Sequence, residues 1–257
     1  MAQPAAETES FAVRHHFLIR RLHSLCGLVP IGAFLCIHLT VNASINAGAD
    51  EFETQVGYIH ALGWLLKPVE IVFIFLPLLF HGVLGLQIWF SGQPNVSTYK
   101  YGGNFRYMLQ RVTAGIALVF ILYHLWHMHW LGAPFGGGKF IAHGDGMAES
   151  AVTAMQDVVF GVPVSILYAI GVLATVYHLA NGIWTSLITW GITIGPLAQR
   201  RAGYACSAFG VMLAVVGLSG VRGFKTFTPE EADIHIVGVD ADAPASVVKT
   251  VHDPEGS

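Results

Sequence analysis

Apolar residues in this chain come in long blocks, and polar residues are confined largely to the gaps between them. A bilayer core about 30 Å thick is spanned by about 20 apolar residues in a helix. Five blocks reach that length or approach it: Ser24–Ile45, Pro68–Phe90, Arg111–Gly132, Pro163–Trp190 and Tyr204–Val221. The last is the shortest but carries no charge. The pattern predicts an all-α integral membrane protein whose five transmembrane helices form a bundle. Pro163 falls at a favoured first-turn position. Pro77 lies inside the second block and predicts a bend, because it frees a backbone carbonyl; neighbouring helices absorb that cost in a membrane.

The gaps orient the bundle, because basic residues favour the cytoplasmic side. Arg14, Arg20 and Arg21 precede the first crossing, Lys100, Arg106 and Arg111 stand between the second and third, and Arg200 and Arg201 between the fourth and fifth. The gaps near 46–66 and 133–162 are mostly acidic, Lys139 being their one basic residue. The N-terminus is therefore expected in the cytoplasm and the C-terminus outside, with Arg222 and Lys225 as exceptions. The stretch AESAVTAMQDVV reads as a short surface helix. Three regions follow: a cytoplasmic segment at 1–19, a membrane domain at 20–222 and an acidic, poorly ordered outer tail at 223–257.

Composition agrees with a membrane location. The chain is 54% hydrophobic and 11% charged, where a soluble domain carries about 25% charge, and its mean hydropathy is +0.58. A net charge of −3 gives no basic footprint for nucleic acid. Cys26, Cys36 and Cys206 form no CxxC pair and read as structural thiols. The first 19 residues show no removable signal peptide.

The chemistry is carried by histidines inside four crossings: His38; His81; His124, His127 and His129; and His178. Ionisable residues within a membrane are costly and point to function, although a single one can simply bond a neighbouring helix. At about 1.5 Å per residue, His38 lies about 25 Å and His124 about 20 Å from the inner face, while His81 and His178 lie about 9 Å from it. The four form an outer pair, His38 with His124, and an inner pair, His81 with His178. Two facing imidazoles suit a six-coordinate haem iron. Gly27, Gly82, Gly85, Gly115 and Gly182 stand near these ligands and either thin the helices for a macrocycle or serve as small-residue helix contacts. His127 and His129, between Trp126 and Trp130, are expected at the outer rim, with His124 as the ligand. His15, His16 and His60 read as interface residues. Zinc transport, the competing use of histidine, would favour ligands at one depth among carboxylates, and Glu70 is the one acidic residue within a crossing.

Four stretches carry a family likeness: RRLHSLCGLVPIGAFLCIHLTVN at 20–42, EIVFIFLPLLFHGVLGL at 70–86, LQRVTAGIALVFILYHLWH at 109–127 and VLATVYHLANGIWTSLITWGITIGPLAQR at 172–200. In their order over residues 20–220 the chain resembles the cytochrome b membrane subunit of succinate:quinone oxidoreductases. The likeness is to the five-helix, two-haem form of Bacillus-type succinate dehydrogenases and related fumarate reductases. It implies two haem b groups, a distal one on His38 and His124 and a proximal one on His81 and His178. It also implies partner chains, a flavoprotein that oxidises succinate and an iron–sulfur subunit on the cytoplasmic face, with electrons passing through both haems to menaquinone or in reverse. The expected home is a bacterial cytoplasmic membrane. Ser24, His23, Gln110 and Arg111 are candidates for haem-propionate contacts or docking, since an arginine fork suits a carboxylate. Glu70 is the candidate for proton exchange with an outer quinone. The rival readings are a cytochrome b of another quinone-linked complex, such as a hydrogenase, and a metal transporter or structural anchor.

Overall fold

The computed structural model of the protein describes residues 15–92, 96–142 and 146–228, and the contacts below lie in one compact unit ending at Thr226. The segment before residue 15 and the tail beyond 228 lie outside the described residues. Five helical spans are long and apolar enough to cross a membrane: His16–Ala47, Gly63–Ser91, Gly102–Met128, Val164–Thr189 and Pro196–Thr226.

Prolines shape the first two spans. The first consists of α1 (His16–Leu28) and α2 (Pro30–Ala43), joined at Val29. Pro30 brings no N–H to the preceding turn, so the helix is interrupted there, a break the hydropathy pattern does not reveal. The second span begins with α4 (Leu66–Glu70), continues as a π turn over Ile71–Phe75 and ends with α5 (Leu76–Ser91). The expected disturbance from Pro77 takes the form of that wide turn, closed by the Leu76 N–H on the Ile71 carbonyl.

The third span is α6 (Gly102–Met128), the fourth α8 (Val164–Thr189) and the fifth α9 (Pro196–Thr226). Two boundaries move. α6 begins nine residues before Arg111, and α9 begins before Arg200 and Arg201, which sit in its first turns rather than in a loop. Pro163 is extended, with φ −55° and ψ 130°, and precedes α8 instead of opening it.

The acidic gaps are more structured than the pattern implies. α3 (Ala49–His60) follows Gly48, whose φ of 124° suits glycine alone. The expected short helix is α7 (Met147–Gln156). A two-residue hairpin follows, β1 (Val158–Val159) against β2 (Val162–Pro163), with Phe160 and Gly161 both at positive φ in its turn.

The apolar core lies between the first, fourth and fifth spans, where Leu39, Val172, Val176, Leu179 and Leu213 are buried together. α5 has no fully buried residue and stands at the edge of this core. Gly27 lets it close on α1, since a Cβ at that position would stand 2.6 Å from Nδ1 of His81.

Candidate haem sites

The fold brings the four histidines together in twos. The rings of His81 and His178 are 6.0 Å apart between centroids and inclined at 84°. Those of His38 and His124 are 5.7 Å apart at 73°. An iron bonded to one nitrogen of each ring at about 2 Å per bond would separate the centroids by about 6 Å. Both pairs therefore fit a bis-histidine iron. Among the described residues no group of three or more metal-ligating side chains comes together.

Helix register separates the pairs by depth. His23 stacks on His81 with centroids 4.1 Å apart, and His38 lies 15 residues further along the first span, about 22 Å by helical rise. On α6, Gln110 touches His178 and His124 lies 14 residues on, about 21 Å.

The inner rings are oriented by backbone carbonyls. His81 Nδ1 donates to the His23 carbonyl at 2.9 Å, and His178 Nδ1 donates to the Gln110 carbonyl at 3.1 Å. With Nδ1 committed as a donor, Nε2 carries the free lone pair a metal requires. Gln110 also returns its amide Nε2 to the His178 carbonyl at 3.0 Å and accepts from Asn181 Nδ2 at 2.8 Å.

The outer pair is tied differently. The Tyr168 hydroxyl lies 3.2 Å from His124 Nδ1 and 3.0 Å from His127 Nδ1. One hydroxyl can accept from the first ring and donate to the second. On His38, Asn42 Nδ2 bonds the backbone carbonyl at 2.7 Å and approaches Nε2 at 3.4 Å.

The other predicted positions are spread around these pairs. Ser24 shares a 2.6 Å hydrogen bond with Ser186. His23 carries a buried Nε2 with no partner. Arg111 fastens the end of the second span, donating to the Gly92 carbonyl at 3.2 Å and the Tyr107 hydroxyl at 2.6 Å. Gly85 faces His23 and Gly182 faces Gln110, whereas the space over Gly115 is taken by the Trp89 indole.

The two histidines expected at the rim stand at the end of α6 and are enclosed by aromatic rings. His127 is only 1% exposed, because its ring stacks on Tyr123 with centroids 5.2 Å apart. His129 caps the short turn after α6, its ring 5.3 Å from that of Phe75; burial holds its imidazole below the usual histidine range. Glu70 lies near Trp130 and Lys67, and the Lys67 Nζ is 5.2 Å from the Trp130 ring. Tyr168 is the neighbour of His124 and His127 that the sequence reading lacks; it stands ten residues before His178, about 15 Å along one helix, and so at the depth of the other pair, which is the signal that could have found it.

No family model matches the chain. It is 36% identical over 208 residues to the succinate dehydrogenase cytochrome b558 subunit of Bacillus subtilis (strain 168), an alignment covering 81% of this chain and 96% of that protein. Five apolar spans and that extent of identity lead to one conclusion: the chain belongs to the family of succinate dehydrogenase cytochrome b subunits.

Proposed function

We propose that this chain anchors a succinate:quinone oxidoreductase and carries electrons between its iron–sulfur subunit and menaquinone, with one haem b held by His81 and His178 and a second by His38 and His124. When bound, the haems supply one-electron carriers at two depths. The observation that carries the reading is the two histidine pairs, with ring centroids 6.0 and 5.7 Å apart. Either direction of turnover, succinate oxidation or fumarate reduction, suits this arrangement.

In this reading the chain's own residues set the geometry. The His23 and Gln110 carbonyls hold the inner imidazoles by Nδ1. Tyr168 holds His124. Ser24, His23 and Arg111, near the inner end, serve propionate contacts or the docking of the soluble subunits. Glu70, with Lys67 and Trp130 beside it, exchanges protons with the quinone at the outer end. The basic connections support an orientation with the N-terminus in the cytoplasm and the C-terminus outside.

Purification of the chain in mild detergent, with spectra and identification of what accompanies it, tests this function. The expected result is b-type absorption together with a flavoprotein and an iron–sulfur protein that reduce menaquinone on succinate. Co-purification with a hydrogenase would reassign the complex. A chain without haem would end the electron-carrier reading.

A further inference from the structure

We propose that a groove beside the third, fourth and fifth spans binds an anionic phospholipid, with its phosphate at Arg106 and Arg200 and an acyl chain along α8 and α9. Two cavities carry the argument. One, of about 410 Å³, has Leu173, Val176, Ala180, Gly210 and Ala214 among its lining residues. The other, of about 400 Å³, is more polar than the first and includes Gln199, Arg200 and Tyr204. Both are lined by Arg106 and Ser207, so they adjoin at these residues.

Small residues make the apolar part. Between Ser207 and Ala214 the fifth helix rises about 10 Å, and between Asn181 and Leu173 the fourth rises about 12 Å, roughly a third of the hydrocarbon core. Exposed Leu173 and Val211 border it, so the groove opens sideways, where a lipid chain enters.

The second cavity has a cationic wall. The Arg106 guanidinium lies 4.0 Å over the Trp184 ring, and Trp184 is itself fixed by its Nε1–H on the Gln199 carbonyl at 2.8 Å. A Cβ on Gly203 would stand 3.4 Å from Arg106 Nη1, so the arginine lies close over that glycine. Among the described residues the carboxylates are Asp50, Glu51, Glu53, Glu70, Glu149 and Asp157, all in the acidic connections or near them at the opposite end. Nothing anionic in the described chain therefore faces Arg106 and Arg200, and a lipid phosphate supplies the missing charge. Zwitterionic lipid offers the same chain but no net charge.

The test uses the intact complex in mixed vesicles of phosphatidylglycerol and phosphatidylcholine, followed by detergent extraction and mass spectrometry of retained lipid. Wild type should retain phosphatidylglycerol preferentially. Arg106→Gln or Arg200→Gln should lower that preference about fivefold, and the double variant about thirtyfold. Ser207→Phe, which leaves both arginines, should remove the retained lipid by obstructing the junction. Arg200 is exposed, so its variant keeps the test valid if Arg106→Gln does not fold. Equal retention of both lipids, or phosphatidylglycerol retention unchanged in the variants, would overturn the proposal. Loss of the soluble subunits with unchanged lipid would assign the arginines to protein docking instead.

Discussion

Gln110 and His178 hold each other through two hydrogen bonds: the His178 Nδ1–H on the Gln110 carbonyl at 3.1 Å and the Gln110 amide on the His178 carbonyl at 3.0 Å. The backbone of α6 thereby orients a ring on α8, and the side chain locks the register between the two helices. Gln110→Leu keeps the carbonyl but removes the amide and leaves Asn181 Nδ2 unpartnered. The loss should cost about 1–3 kcal/mol and weaken haem retention at the inner pair about 10-fold or more. Haem content after a thermal challenge, compared with wild type, checks this.

Gly27 gives a sharper steric test. A side chain there enters the His81 ring, so Gly27→Leu should expel the inner haem and spare the outer one. Gly82→Ala, on the same helix as His81, has its nearest contact at 4.0 Å from Leu118 and should be tolerated. Low-temperature reduced spectra of the two variants distinguish them.

How far the site can be read from sequence depends on which forces act. Depth along a helix follows from counting residues, so the pairing of His38 with His124 and His81 with His178 is legible before any coordinates, as are the five apolar spans. Lateral neighbours are not. Gly115 looks like room for a macrocycle, yet Trp89 fills it, because side-chain direction across a helix interface is set by packing. His127 stands at the rim end of α6, but that Tyr123 and Tyr168 enclose it is not legible in the sequence. α9 begins before its predicted start since Arg200 and Arg201 are sound helix formers that hydropathy alone discards, and it runs on past Val221 through Arg222 and Lys225.

Tyr168 links the outer pair to His127. Tyr168→Phe removes the hydroxyl shared by two imidazoles, leaving His127 Nδ1 buried without a partner at a cost of about 1–3 kcal/mol. Redox titration followed optically should show a changed midpoint for the outer haem and an unchanged one for the inner. Equal shifts in both would mean a general loosening of the bundle.

The proposed function gives Glu70 the exchange of protons with the quinone. Glu70→Gln should lower quinone turnover about 100-fold or more, the usual scale for a lost acid–base group, with both haems still present and still reduced by succinate. Turnover with an artificial electron acceptor that bypasses the quinone should be retained. Turnover with menaquinone that matches wild type would remove Glu70 from the site.

The central claim is that two histidine pairs hold two haems, and it is tested by counting haem in His38→Ala, His81→Ala, His124→Ala and His178→Ala with pyridine haemochrome and reduced-minus-oxidised spectra. Wild type should contain two haems per chain. His81→Ala and His178→Ala should lose one and the same spectral component, and His38→Ala and His124→Ala the other. One haem in wild type, or the same component lost in all four variants, would contradict the account.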